Sequence, residues 1–153
     1  MLRLLVLFAC AVGAALIVAG CGSGGDSNTA SITKAQFVKQ ADAACKKGEE
    51  QIQADFKAYI EGHKNLTNPT EDDFAEVVDT VLAPNVEQEV GEIRALGMPS
   101  GDEAKIEAIL DSVEEGREEA EADPKNAIQT TPASLEKANK LAKEYGLKVC
   151  GSR

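Results

Sequence analysis

Residues 32–153 carry apolar side chains at intervals of three and four positions, and this spacing strongly limits the folds open to the chain. Such a repeat places apolar side chains on one face of an α-helix, whereas a half-buried strand alternates at every second residue. This region has no sustained strand-like alternation. We therefore expect an all-α domain over residues 32–153, in which each helix buries one face.

The first two helical stretches have clear start signals. The first begins at Thr33, where Gln36 completes a capping box, and runs to about His63. The second begins after Thr70 with three acids, which suit a helix N-terminus, and contains Pro84, which must kink or split it. The expected inward residues are Phe37, Ala41, Ala44, Cys45, Ile52, Phe56, Tyr59 and Ile60, then Phe74, Val77, Val78, Val81, Leu82, Val86, Val90, Ile93 and Leu96.

Two further helical stretches complete the pattern. The third is predicted to begin with a capping box of Ser100 and Glu103 and to stop at Asp123–Pro124. The fourth opens at Thr131–Pro132, with the proline in the first turn, and stops at Gly146. Four amphipathic helices with short connections predict an antiparallel four-helix bundle that forms a single domain.

The N-terminal segment has the form of a secretory signal. Arg3 precedes an apolar run from Leu4 to Ala19, which is shorter than the roughly 20 residues that an untilted membrane-spanning helix needs. The run ends at Val18–Cys21, "VAGC", which resembles the lipobox of bacterial lipoproteins. The alternative is an uncleaved membrane anchor in which Cys21 is an incidental thiol.

The lipobox resemblance implies a processed and lipidated protein. Residues 1–20 are then a cleaved signal peptide, and Cys21 carries a diacylglyceryl thioether that anchors the protein on the outer face of the cell membrane. Two acyl chains on one residue anchor a protein stably in a membrane, whereas a single acyl chain gives only marginal binding. Residues 21–31 comprise the lipidated cysteine and a flexible Gly/Ser-rich tether, whose ten residues after Cys21 have a root-mean-square span of about 17–19 Å.

The charge balance limits the partners. Loss of Arg3 leaves 15 basic and 26 acidic residues, a net charge of −11. Such a surface is repelled by nucleic acid and by anionic lipid, so we expect no nucleic-acid partner. The densest acidic run, Glu114–Asp123, is consistent with a basic protein or envelope partner, and the alternative is an exposed helix end.

The cysteines predict one disulfide. Cys10 leaves with the signal peptide and Cys21 is lipidated, so Cys45 and Cys150 remain as a pair in a compartment where disulfides persist. The alternative is two free thiols. "FVKQADAAC" (Phe37–Cys45) and "YGLKVCG" (Tyr145–Gly151) also resemble two signatures of small, uncharacterised actinobacterial lipoproteins, F-x-x-x-A-x-x-x-C and G-L-x-x-C-G. This resemblance supports the pairing and implies no activity.

No constellation of residues in the sequence indicates catalysis. His63 is the only histidine, and two cysteines are an incomplete zinc ligand set. The sequence contains neither G-x-S-x-G nor C-x-x-C. We therefore expect a non-enzymatic protein with no cofactor, no metal and no catalytic residue.

Two non-enzymatic functions remain. The hypothesis that the sequence favours is a surface module that binds a protein or envelope partner or serves a structural role. The alternative is an extracytoplasmic carrier or sensor with a small-ligand pocket between helices near Pro84. A pocket needs inward polar groups among apolar walls, and the only inward polar candidates are Tyr59, Tyr145, Gln51 and Asn85.

The lipid anchor is directly testable. Mass spectrometry of the native N-terminus should find a chain that begins at Cys21 and carries a diacylglyceryl thioether, because the apolar run ends in a lipobox-like motif. An intact segment from Met1 to Cys21, or an unmodified Cys21, would contradict the assignment.

Overall fold

The computed structural model of the chain describes residues 31–63 and 66–152, and within these ranges it contains helices and turns but no strand. The expected all-α fold class is therefore confirmed. The predicted signal peptide, Cys21 and all of the tether except Ser31 lie outside the described residues. The helices are α1 (Lys34–Gly62), α2 (Glu71–Val77), α3 (Ala83–Ala95), α4 (Glu103–Ala122), α5 (Pro124–Gln129) and α6 (Ala133–Tyr145), with a π turn at Val78–Leu82 and a 3₁₀ turn at Cys150–Ser152.

The predicted capping box of α1 is present. The Thr33 hydroxyl accepts from the Gln36 backbone N–H at 3.3 Å, and the Gln36 side chain accepts from the Thr33 N–H at 3.0 Å. Thr70 and Asp73 form the same reciprocal pair at the start of α2. Both helices therefore start where local hydrogen bonding favours a start.

The predicted capping box of Ser100 and Glu103 is wrong. The N-cap of α4 is Asp102, whose side chain makes no capping bond, and the Glu103 carboxylate instead accepts from the Gly101 N–H at 2.7 Å. The Asp102 carboxylate instead pairs with Lys105 at 2.7 Å and accepts from the Tyr145 hydroxyl at 3.1 Å. A local ion pair and a tertiary contact with α6 therefore take the place of the cap.

Pro84 does not split the second helical stretch. Helical backbone runs without interruption from α2 through the π turn into α3, and the Ala83 N–H bonds to the carbonyl of Val78, five residues earlier. A proline removes one backbone donor and crowds the preceding turn. The widened π turn lies directly before Pro84, which is exposed in the first turn of α3.

Asn85 connects this turn to α1. Its buried side-chain amide donates to the Val81 carbonyl at 2.7 Å and to the Asp55 carboxylate at 2.9 Å. One polar side chain thus satisfies a carbonyl of the π turn and holds α3 against α1. Sequence analysis correctly expected Asn85 to lie inside, but did not assign it this role.

The segment after α4 contains a helix that was not predicted. The predicted stop at Asp123–Pro124 is correct for α4, but Pro124 also starts α5, and Asp123 accepts from the Asn126 N–H at 3.2 Å. Pro132 occupies the N-cap position of α6 rather than its first turn. The predicted end of α6 at Gly146 is confirmed.

The main core lies where the inner faces of α1, α3, α4 and α6 meet the C-terminal tail. Its members include Phe37, Ala41, Cys45, Val90, Ile106, Leu110 and Tyr145. A smaller cluster of Tyr59, Val77 and Val81 lies at the other end of α1. Phe56 and Ile60 were predicted to point inward, but they are 42% and 45% exposed.

Helix α1 is held mainly by elements other than α4 and α6. It packs against α3, the π turn and the 3₁₀ turn, whereas α4 packs most extensively against α6 and also against α3. Within the described residues, the α1 backbone has at most marginal contact with α4 or α6. The inner faces of these helices therefore do not close fully on α1.

The C-terminal tail is bonded to α1. The Asp42 carboxylate accepts from three successive backbone N–H groups, those of Lys148, Val149 and Cys150, at 3.0, 2.8 and 3.2 Å. One turn further along α1, the Sγ atoms of Cys45 and Cys150 lie at disulfide distance, 2.07 Å apart. The structure thus places together the two cysteines that the sequence predicts to pair.

The Cys45–Cys150 bond should contribute a large share of the stability. It closes a loop between residues 105 positions apart, which the chain-entropy model values at about 4–5 kcal/mol. In the chain from residue 22 onward, replacement of both cysteines by alanine should lower the thermal midpoint by roughly 10–20 °C.

Thiol titration supplies the control. The unreduced, denatured chain should contain no free thiol, and the reduced chain should unfold near the temperature of the double variant. Two equivalents of free thiol before reduction would refute the bond.

Candidate functional site: an apolar cavity with one closed end

A cavity of about 240 Å³ lies among the inner faces of α1, α3, α4 and α6 and extends to the π turn and α5. Aliphatic side chains form most of its walls, for example Ile52, Val86, Val90, Ile109, Leu110 and Leu135. The cavity lies on the side of α1 that faces α4 and α6, whose backbones approach the α1 backbone little.

One end of the cavity is closed. Phe37, Ile106, Ala142 and Leu147 line it there, and their exposed fractions are 0, 1, 1 and 4%. Cys45 and Cys150 belong to the same buried wall. The tail that Asp42 and the two cysteines hold against α1 therefore forms part of the closed end.

The other end opens to solvent. Thr131 is exposed there, and Ile52, Leu82 and Leu135 are only half-buried. Phe56 lies one helical turn beyond Ile52 on α1, so an exposed apolar strip continues from the mouth along the outside of α1. The cavity is therefore a blind pocket with an apolar approach.

The pocket is elongated. On α1 its lining runs from Phe37 to Ile52, which is about 22 Å at 1.5 Å per residue. On α4 it runs from Ile106 to Ala120, which is about 21 Å by the same rise. The lining residues therefore form a slot along the helices.

Four polar side chains reach the lining: Glu89, Arg117, Thr131 and Asn139. Glu89 is buried, with a carboxylate oxygen 3.6 Å from the Cys45 Sγ atom. A Cβ atom at position 48 would overlap the Glu89 carboxylate as it is placed, so a larger residue there would require this side chain to shift. Arg117 forms ion pairs with Glu118 and Glu121.

None of these four polar residues was identified from the sequence. Of the four inward polar candidates, Tyr59, Tyr145 and Asn85 are buried, but none lines this cavity, and Gln51 is exposed. Ala83, next to Pro84, is part of the wall, in the region where the alternative hypothesis places a pocket. A buried glutamate on a helix with many acids gives no sequence signal that separates it from surface glutamates.

The predicted acidic run forms many contacts within the protein. Glu114 receives both terminal nitrogens of Arg94, at 2.8 and 2.9 Å, and this pairing lowers the pKa of its carboxyl group. Glu119 accepts from the hydroxyl and the backbone N–H of Ser134, which lower its pKa. The run therefore joins α4 to α3 and α6, which explains much of its density.

His63 is the C-cap of α1 and was predicted to be a solvated residue. Its ring stacks on Tyr59 with the centroids 4.0 Å apart, and its Nδ1 atom lies 2.7 Å from the Tyr59 carbonyl oxygen. Its Nε2 atom lies 3.5 Å from a Glu76 carboxylate oxygen. His63 thus helps to fix the end of α1 near the start of α2.

Residues 31–63 and 66–152 contain no group of three or more His, Cys, Asp or Glu side chains that could hold a metal ion. No helix in that part of the chain is both long enough and apolar enough to cross a bilayer. Comparisons with protein-family models, characterised proteins and solved structures produced no match.

Proposed function

We propose that this protein is a non-enzymatic lipoprotein, anchored through Cys21 to the outer face of the cell membrane, whose helical part binds a small apolar molecule. The observation that carries the proposal is the blind cavity of about 240 Å³ between the helices. The proposal selects the carrier or sensor that the sequence offered as the alternative hypothesis.

The energetic cost of an empty cavity supports a binding role. At about 24 cal/mol per Å³ of closed cavity, a void of about 240 Å³ costs about 6 kcal/mol, and the open mouth reduces this figure. Proteins of this size have a total stability of about 5–15 kcal/mol. A ligand that fills the space would restore the missing contacts.

Water is a poor occupant of this space. A buried water needs two to four polar partners, and an engineered apolar cavity of about 150 Å³ stays dry and binds benzene. Around the closed end, Phe37, Ile106 and Leu147 offer no polar side-chain atom, and the polar side chain of this wall is Glu89 beside Cys45. An apolar ligand therefore matches the walls better than water does.

The proposal treats the four long helical stretches as an antiparallel bundle. The order of lining residues supports this arrangement, because α1 and α4 start at the closed end with Phe37 and Ile106, whereas α6 ends there with Ala142. Since α1 starts at the closed end, the mouth lies roughly 27 Å along α1 from Lys34. In the anchored protein, the tether would thus join the body at the end opposite the mouth.

The surface-module hypothesis loses its main support. It drew on the unexplained acidic run, and Glu114, Glu115, Glu119 and Glu121 now have partners within the chain. No other described feature identifies a basic partner. We therefore rank ligand binding first.

Calorimetric titration with toluene tests the proposal. The chain from residue 22 onward should be used, so that the chains of the anchor cannot fill the cavity. Toluene should bind saturably at one site and raise the thermal midpoint by mass action. Ala138→Phe places a ring in the cavity wall and should weaken binding at least tenfold, about 1.4 kcal/mol.

Ala108→Phe is the matched control, because Ala108 is exposed on α4 whereas Ala138 is buried in the wall. This variant should bind toluene like the original chain. Absence of saturable binding in the original chain, or equal loss of binding in the two variants, would contradict the proposal.

A further inference from the structure

We infer that the cavity, if it is the ligand site proposed above, takes one unbranched hydrocarbon chain of an amphiphile, inserted methyl end first. The inference rests on three features of the described residues: the shape of the slot, the chemistry of its walls, and the difference between its two ends.

The length of the lining favours an elongated occupant. The lining extends over about 21 Å of helix, which exceeds the roughly 15 Å that one leaflet contributes to a 30 Å hydrocarbon core. An extended alkyl chain of membrane length can therefore contact lining residues from the mouth to the closed end.

The walls suit a flexible alkyl chain. Phe37 is the only aromatic residue among the lining residues, and the remaining apolar contacts come mainly from Ala, Val, Leu and Ile. A planar aromatic ligand would gain most from stacking and edge contacts with other rings, which these walls do not provide. An alkyl chain gains from burial alone, by about 0.8 kcal/mol per buried CH₂ group.

The two ends determine the orientation. A polar headgroup at the closed end would lose its contact with water among Phe37, Ile106 and Leu147, in a wall whose polar side chain is the buried Glu89 beside Cys45. At the mouth, Thr131 is exposed and Arg117 reaches the surface. The headgroup therefore stays in water at the mouth, and the methyl end lies at the tail that Asp42 holds.

Photochemical labelling of the full lipidated protein in phosphatidylcholine vesicles tests the inference, and the chain from residue 22 onward is labelled beside it because the anchor's own chains cannot fill its cavity. Hexadecanol with a diazirine near its terminal methyl should label Phe37, Ile106 or Leu147 after illumination. Hexadecanol with the diazirine near its hydroxyl should label Leu135 or Thr131. Peptide mapping by mass spectrometry reads the positions, and this contrast within the unmodified sequence requires no variant.

A second arm separates the possible sources of the chain. Phosphatidylcholine with a terminal diazirine in one chain should give the same deep labels only if the chain of an intact membrane lipid can enter. Labelling of the closed-end residues by hexadecanol alone would show that the site takes a free amphiphile. Labelling of these residues by both probes would show that the site also admits a chain of an intact membrane lipid. Each result supports a single-chain site.

Other outcomes would overturn the inference. Equal labelling by the two hexadecanol probes, or labelling confined to exposed residues such as Phe56, would mean that no chain inserts. Ala138→Phe should abolish labelling of the closed-end residues, whereas Ala108→Phe should keep it. Labelling of these residues in both variants would also overturn the inference. Toluene binding without deep chain labels would reject the inference and leave the proposed function standing.

Discussion

The attachment of the C-terminal tail to α1 is the constraint on which the rest of the structure depends. Asp42 binds three consecutive backbone N–H groups of the tail, and Cys45 lies at bonding distance from Cys150. These contacts hold α1 to the end of α6 without requiring the two helices to pack along their lengths. Because α1 is fixed at one end in this way and packs beside α3, the space toward α4 and α6 can stay open.

The cavity follows from this arrangement and from small side chains on the inner faces. Alanine or glycine occupies many wall positions, namely Ala83, Gly116, Ala120, Ala127, Ala138 and Ala142. Gly116 also allows α4 to approach the start of α6, since a Cβ atom there would overlap Leu135. Small residues therefore account both for the close contact of α4 with α6 and for the gap beside α1. They let α4 and α6 approach each other, and their short side chains leave the space toward α1 unfilled.

The sequence predicted features that depend on neighbouring residues better than features that depend on distant ones. The capping box of Thr33 and Gln36 was correct because both partners lie within one turn. The predicted cap of α4 was wrong, and the Asp102 carboxylate at that helix start bonds both to nearby Lys105 and to Tyr145, 43 positions away. The helix after Asp123–Pro124 was missed, although an aspartate before a proline is itself a start signal. Apolar spacing identifies the inward face of a helix but does not fix the distance to the facing helix, so the cavity was not visible in the sequence.

Native mass spectrometry tests the central claim, that the cavity is a ligand site, most directly. The chain from residue 22 onward, exported to an oxidising compartment and purified without detergent, should carry one co-purified apolar molecule per polypeptide. The additional mass should disappear after solvent extraction and should be absent from the Ala138→Phe variant. A bare polypeptide mass for the original chain, or the same additional mass in both proteins, would contradict the account.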